Sequence, residues 1–475
     1  MADRFWQASA LELRARFARR ETSPVEVVEA LLARIDTLNP ALNAVVTVDA
    51  AGARIAARES EQRWRAGTAL SPLDGVPITV KDSIPVRGMR ASWGSRLYAD
   101  FVPARDELPI ARLRAAGVVI LGKTNCPELT VQGYTDNALF GPTRNPWDLA
   151  LTPGGSSGGA VAALAAGLGP IAIGTDGGGS IRRPAGYTGL VGLKPSRGRV
   201  ARCDGFPAVM ADFEVIGPFA RTVGDVVAVM GLMSDPDPRD PASLVWAGNP
   251  FALPPPRRLS IRYAPDFGGL PVEPVIAASV AETAAMLARL GHRVEQGEAP
   301  YDVEGLNRVW PVLVQAGLAS LLGKRAVAES GLTASITEAA EAGRKLTAAA
   351  YVEAMEVVAQ VKCRVAEFFA GTDLLLTPSA AAMPWPAQDI YPPTIAGLPA
   401  GPRAHAVFTG FVNAAGLPGI SVPVRPAPAG GPWAGMPIGV QLVGPPGSDG
   451  LLCAVAAEME QVSPWDERWP PLAGA

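Results

Sequence analysis

Apolar and polar positions change their period repeatedly along this chain. Val27, Leu31, Ile35 and Leu38 recur at helical spacing. Ser23-Pro-Val-Glu26, just before them, reads as a capping box with proline at the first helical position. Ser9-Ala-Leu-Glu12 predicts a second helix start of the same kind. "NPALNAVVTV" predicts the end of a helix and the start of a strand, and residues 50–66 predict another helix. "GVPITVKDS" is a short apolar strand with a polar end, and "ELPIARLRAAGVVILGKTN" a helix, a stop at Gly117 and a strand at 118–121. Ala160–Gly167 predicts a helix of small residues, followed by a short buried strand at "PIAIG". Further on, "RRLSIRYAPDF" and "HRVEQ" read as strands on either side of a helix, "EPVIAASVAETAAMLARLG", closed by Gly291.

Strands alternating with helices predict an α/β fold with a central mixed or parallel β-sheet. The prolines of Asp235–Arg258 make that segment the best linker candidate. Residues 300–400 combine helical stretches such as "LTAAAYVEAMEVVAQVKCRVAEFFAG" with the proline-rich "TPSAAAMPWPAQDIYPPT", a pattern expected of a cover over a core. No internal repeat is visible.

Composition narrows the classes. The 475 residues are 48% hydrophobic and 18% charged, enough for a large core and too little charge for disorder. With a net charge of −3 and no basic block, neither nucleic acid nor an anionic membrane is expected as a partner. Cys126, Cys203, Cys363 and Cys453 form no C-x-x-C pair, so no metal site or disulfide framework is expected and a reducing compartment fits. The first residues, "MADRFWQASALELRARFARR", lack the apolar run of a secretory signal, so a cytoplasmic location is expected.

Candidate chemistry concentrates in "TPGGSSGGAVAALAAGLGPIAIGTDGGGS" (152–180). A flexible linker would not carry "AVAALAA" and "PIAIG". A membrane span needs about 20 apolar residues, and Pro170 breaks this run. Neither the phosphate-loop nor the dinucleotide pattern fits its spacing. A catalytic reading remains: "GTDGGGS" offers successive backbone N–H groups to one oxygen, as an oxyanion hole requires, with Ser180 as nucleophile beside them. Only two histidines exist, His292 and His405, and neither sits in an obvious catalytic context; a surface or packing role is expected for each. Lys81, at the end of an apolar strand, is a candidate base if burial neutralises it. Taken alone, it reads as an ordinary strand-end lysine.

The combination of motifs changes that balance. "GVPITVKD" (75–82), "GKTN" (122–125), "FGPTRNPWD" (140–148), "PGGSSGG" (153–159), "GTDGGGSIRRPA" (174–185), "GLVGLKPSRGRV" (189–200), "GPFARTVGD" (217–225), "LLLTPS" (374–379), "NAAGLPGISVP" (413–423) and "PIGVQLVGPPGSD" (437–449) together resemble the amidase signature family of serine hydrolases. The likeness spans nearly the whole chain. It implies one amidase signature domain over 1–475, with a signature core at about 70–225 and a substrate-covering region at about 300–400. It implies a mixed sheet with helices on both faces. It implies a Ser–Ser–Lys triad in which Ser180 is acylated, Ser156 bridges and Lys81 is the base, with a cis peptide bond between Gly155 and Ser156. The N–H groups of Gly177, Gly178, Gly179 and Ser180 are the expected oxyanion donors. Ser157, Asp176 and Arg182 are the expected supports. No metal or cofactor is expected. Gly177 departs from the many relatives that carry a larger residue there, which makes the turn roomier without removing a donor.

The family includes amidases, aryl-acylamidases, carbamate-cleaving enzymes and the glutaminase subunit of tRNA amidotransferases. The last branch usually has an acid just before "N-x-A-G-x-P", but "RAHAVFTGFVNAAGLP" has none. Cys126, Leu129, Tyr134, Phe206, Met210, Met383 and Trp385 are the expected pocket residues, each equally readable as core packing. They favour neutral, apolar or aryl amides, with esters and carbamates (urethanes) fitting the same site. The expected partner is accordingly a small amide or carbamate substrate, with no nucleic acid and no membrane, acting on a monomer or homodimer. A glutaminase-type amidotransferase subunit is the alternative.

Overall fold

The strands fall, in chain order, at β1 (Val45–Val48), β2 (Pro77–Lys81), β3 (Val119–Thr124), β4 (Ile171–Asp176), β5 (Val191–Lys194), β6 (Val215–Ala220), β7 (Ser260–Tyr263), β8 (Arg293–Gln296), β9 (Leu374–Pro378), β10 (Thr394–Ile395), β11 (Leu398–Pro399), β12 (Gly419–Pro423) and β13 (Gly439–Val443). This computed structural model describes residues 4–246, 248, 251, 257–323 and 331–474. All strands but β10 and β11, which pair with each other, form one 11-stranded sheet in the order β1-β3-β2-β4-β6-β5-β12-β13-β9-β7-β8. Parallel pairing at β3–β2–β4 and β9–β7–β8 flanks an antiparallel middle, so the sheet is mixed. Every residue of β2 to β6, β9, β12 and β13 is buried. Helices therefore cover both faces, the arrangement that produces near-continuous apolar strands.

The predicted elements form with small changes of boundary. Ser9 and Ser23 each cap a helix reciprocally with Glu12 and Glu26, starting Ala10–Arg19 and Pro24–Leu42. The second helix runs through Asn39-Pro40 and ends at Asn43 in the left-handed region (φ 51°), inside the stretch where the sequence predicts its end. The Asn39 side chain accepts from the amides of Ala44 and Val45, which turns the chain into β1. In the linker candidate, Pro241–Ser243 forms a short 3-10 helix; residues 247, 249–250 and 252–256 of it lie outside the described residues.

Two features position the site. β2 and β4 are parallel neighbours, so Lys81 and Asp176, their last residues, lie at the same edge of the sheet. Carboxyl ends of parallel strands are the usual place for a binding crevice. Over this edge lie the helices Val303–Leu322 and Ala334–Arg344 from the expected cover region. Their apolar side chains join two smaller cores, one around Trp310, Phe408 and Phe411 and one around Leu129, Leu318 and Ile336.

The Ser23 cap faces a helix whose Val27, Leu31 and Ile35 are buried. Ser23→Ala should therefore lower stability by about 1 kcal/mol, read as a lower denaturant midpoint at unchanged slope. An unchanged midpoint would show that the cap contributes nothing.

Candidate active site

Lys81 is fully buried, and its Nζ lies 2.7 Å from Ser156 Oγ, 2.9 Å from Thr175 Oγ1 and 3.0 Å from Ser157 Oγ. Burial lowers its pKa to about 8, against the opposing pull of Cys126, Glu214 and Asp176. The Ser157 hydroxyl donates to the Thr175 carbonyl oxygen at 3.2 Å, which leaves its lone pairs for the lysine. The Gly155–Ser156 bond is cis. Ser156 and Ser180 line one cavity of about 270 Å3. Among the described residues no hydrogen bond joins the two serines.

The turn from β4 into the helix Arg182–Thr188 is wrapped around Asp176. Its carboxylate accepts from the amides of Gly179 (2.6 Å) and Ile181 (3.0 Å) and from the Arg182 guanidinium (3.0 Å). Burial alone would raise this carboxyl; the Arg182 charge and these donors hold it well below the usual carboxylate range. Arg182 continues to Asn413 Oδ1 at 2.6 Å and Gln441 Oε1 at 3.2 Å. One buried network thus joins the glycine turn to the two C-terminal motifs. The Gly179 amide is occupied by Asp176, which corrects the expected set of four donors. The amides of Gly177, Gly178 and Ser180 carry no such partner among the described residues and remain available.

Sequence reasoning missed a second brace. Arg183 donates to the Gly178 carbonyl at 2.6 Å, to Thr409 Oγ1 at 2.9 Å and to the Gly155 carbonyl at 3.4 Å. It ties the glycine turn to the residue before Ser156. "IRRPAG" contains both arginines, but nothing in the string tells which faces which side.

Of the seven expected pocket residues, Leu129 and Met210 line the cavity. Cys126 is buried behind it, its thiol pushed up by burial. Tyr134 meets the site through its backbone, which lies where a side chain on Gly155 would go. Phe206 stacks on Trp93 at 4.7 Å, Met383 belongs to the main core, and Trp385 packs behind His405 at 4.9 Å. Each of these five fills space elsewhere, as large apolar side chains usually do. The walls are formed instead by Val131, Trp310, Val314, Leu318 and Ile336. Trp310, Val314 and Leu318 form an i, i+4, i+8 stripe, the one signal that the string carries. His405 is no surface residue; it is buried and lines the cavity, while His292 is held by Glu458 at 3.2 Å outside it. Arg183 and Arg403 also line the cavity, so it is less neutral than expected.

Comparison with known proteins places these features. The family model described as Amidase matches residues 26–453. A glutamyl-tRNA(Gln) amidotransferase subunit from Symbiobacterium thermophilum is 34% identical over 497 residues, covering 98% of each chain. The structure of 6-aminohexanoate cyclic dimer hydrolase is similar with a TM-score of 0.87 at 31% identity, over 99% of this chain and 100% of that one. A bacterial aryl acylamidase of the amidase signature enzymes gives 0.90 at 30%, over 98% and 99%. The first of these relatives corrects the expectation of a small-molecule substrate as sole partner, with no nucleic acid and no other subunit. Relatives along the full length are named as subunits of glutamyl-tRNA(Gln) amidotransferases. Net charge and the lack of a basic block describe this chain's own surface and say nothing of a partner that supplies the nucleic-acid contacts. Among the described residues no helix is long and apolar enough to cross a membrane.

The three glycines of the turn make a graded prediction. A Cβ on Gly177 would meet nothing closer than Glu214 Cβ at 3.7 Å. One on Gly178 would meet the Trp310 ring at 2.7 Å, and one on Gly179, at φ +118°, would overlap Thr409 and Arg183. Gly177→Ala should keep activity within a few-fold, whereas Gly178→Ala and Gly179→Ala should lose on the order of a hundredfold in kcat/KM. Equal losses at all three positions would contradict this packing.

Proposed function

The chain belongs to the amidase family of the amidase signature enzymes, and we propose that it hydrolyses amides with an apolar or aryl body through an acyl-enzyme on Ser180. The carrying observation is the set of partners around Lys81. Three lysines are fully buried among the described residues: Lys81, Lys123 and Lys194. Burial lowers the pKa of all three, Lys194 to about 7. Lys123 donates to the Ile84 carbonyl, and Lys194 to the carbonyls of Pro195 and Leu417. A carbonyl accepts a proton contact but cannot pass one on. Lys81 alone of the three faces hydroxyls, which both accept and donate. One of them, Ser156, opens into the cavity that Ser180 lines.

In this reading neutral Lys81 takes the proton of Ser156, and Ser156 takes that of Ser180 as its Oγ attacks the carbonyl carbon. The amides of Gly177, Gly178 and Ser180 receive the charge that develops on the carbonyl oxygen. The proton returns through Ser156 to the leaving nitrogen, and the C–N bond breaks. Water then attacks the acyl-enzyme by the same relay, and the carboxylic acid leaves. Esters and carbamates present the same carbonyl and enter the same scheme. The apolar walls hold the substrate body. In this reading the whole chain is one unit, with 300–400 as its cover.

A second reading is favoured by the amidotransferase relatives: a glutaminase-type subunit whose ammonia serves a partner. It needs a carboxylate for the α-amino group of glutamine. Among the described residues Glu214 is the only acid lining the cavity, and it is already paired with Arg202 at 2.7 Å.

Amine release from an anilide, an aliphatic amide, an aryl carbamate and glutamine separates the two readings. Turnover of the anilide or carbamate, reduced on the order of a thousandfold or more in Ser180→Ala and nearly as far in Lys81→Ala, is expected. Glutamine as sole substrate would support the second reading, and full turnover by Ser180→Ala would remove the nucleophile from both. Because the base must be unprotonated, kcat/KM should rise with pH along a limb of apparent pKa near 8. A flat profile between about pH 6 and pH 9 would rule out Lys81 as the titrating base.

A further inference from the structure

The Arg403 side chain has no ion pair and no hydrogen bond among the described residues. Its guanidinium lies over the Trp310 ring, 4.3 Å from the centroid, and its Nε is buried without an acceptor. Burial, aided by the charge of Arg183, lowers its pKa only to about 9, so it remains a cation at neutral pH. Two residues on, His405 is buried and lines the same cavity with both ring nitrogens unpartnered. Burial and the two arginine charges keep its imidazole neutral. Buried polar groups in native proteins are almost always satisfied, and an orphaned guanidinium nitrogen is costly. No nitrogen of the Arg403 guanidinium has an acceptor among the described residues, and the neutral imidazole of His405 adds one N–H donor, so this end of the cavity points to an acceptor brought by a ligand.

The other charges at the cavity are already committed. Arg183 holds the Gly178 carbonyl and Thr409, and Glu214 holds Arg202. Among the described residues Arg403 is thus the free cation of the lining. Trp310 fixes its plane, since the same ring packs against Gly178 in the oxyanion turn. A planar guanidinium held on an aromatic face suits a carboxylate, which it engages through two parallel hydrogen bonds.

We propose that Arg403, assisted by His405, anchors a carboxylate on the substrate, so that the preferred amides carry an apolar or aryl body with an acidic group at one end. The sequence alone favours neutral substrates; the unpartnered guanidinium reverses that preference. The inference rests on the reading that the cavity beside Ser180 is the substrate site.

Binding and turnover test it separately. In Ser180→Ala, calorimetry with 4-phenylbutyrate and its uncharged analogue 4-phenylbutanol should show the carboxylate binding about tenfold tighter or more. Adding Arg403→Met should erase that difference, and Arg403→Lys, which keeps the charge but not the fork, should erase part of it. In the Ser180 enzyme, anilides with a carboxylate on the acyl chain or on the ring should exceed their methyl esters in kcat/KM by a similar factor, mainly through KM. Equal binding of acid and alcohol, or a preference that survives Arg403→Met, overturns the anchor. If Arg403→Met does not fold, the comparison of acid with alcohol in Ser180→Ala decides alone. Acid-selective binding without turnover of any amide would instead overturn the proposed function while leaving the anchor standing.

Discussion

The structure depends on keeping an amine in its interior. An ammonium ion in a core is strongly disfavoured unless it is paired, and the usual escape is loss of the proton. β2 carries Lys81 to the buried edge of the sheet because the rest of the strand, Pro77 to Val80, is buried and flanked by β3 and β4. No carboxylate contacts it among the described residues; Ser156, Ser157 and Thr175 do. Hydroxyls satisfy the amine in either protonation state, because each is both donor and acceptor. Salt-bridging would have fixed the charged form. The surroundings therefore keep the proton exchangeable near neutral pH, the property an acyl-transfer base needs.

A second constraint explains why such a site needs residues so far apart in sequence. The glycine turn has no side chains with which to hold itself, so its shape comes from the Asp176 carboxylate, Arg182 and Arg183. These in turn are fixed by Thr409, Asn413 and Gln441, more than two hundred residues later. The β12 and β13 strands sit in the middle of the sheet, next to β5, so the C-terminal motifs are core elements. Truncating them would remove the acceptors of a buried guanidinium along with three strand pairings.

The legible and illegible parts of the sequence divide along physical lines. Local chemistry is readable: the caps at Ser9 and Ser23, the stop at Gly117, the small-residue helix before β4. The proposed triad is legible only by resemblance, since Lys81, Lys123 and Lys194 all lie at the ends of apolar strands and only their partners distinguish them. The pocket is mostly not readable. Leu129 and Met210 line the cavity, whereas Phe206, Met383 and Trp385, which lie in loops near the motifs, pack elsewhere. Trp310, Val314 and Leu318 look like any buried helical stripe, and whether such a stripe faces a core or a cavity is a tertiary fact. The roles of His405 and Arg403 are invisible because a missing partner cannot be read from a string. A partner such as the relatives' names imply would be illegible for a related reason: surface charge reports on direct contacts of this chain and not on those of a neighbour in an assembly.

The same relay serves both readings of the function, so the chemistry of Lys81, Ser156 and Ser180 does not choose between them. Both form an acyl-enzyme and release nitrogen; they differ in what the cavity recognises and where the nitrogen goes. Glutamine presents an ammonium and a carboxylate together on its α-carbon. Among its described residues this cavity offers an unpartnered cation in Arg403 and one anion, Glu214, whose Oε1 is already paired with Arg202. To bind the α-ammonium, Glu214 would have to share its carboxylate with Arg202, which holds its Oε1 and is itself held by the buried Glu107 at 2.8 Å. With one cation between two carboxylates, releasing Glu214 would leave a balanced Arg202–Glu107 pair, so the conflict is the loss of one hydrogen-bonded ion-pair contact. An acid whose amide carries no ammonium meets no such conflict. The asymmetry of the cavity thus comes from one arginine whose side chain holds nothing and one glutamate that already holds an arginine.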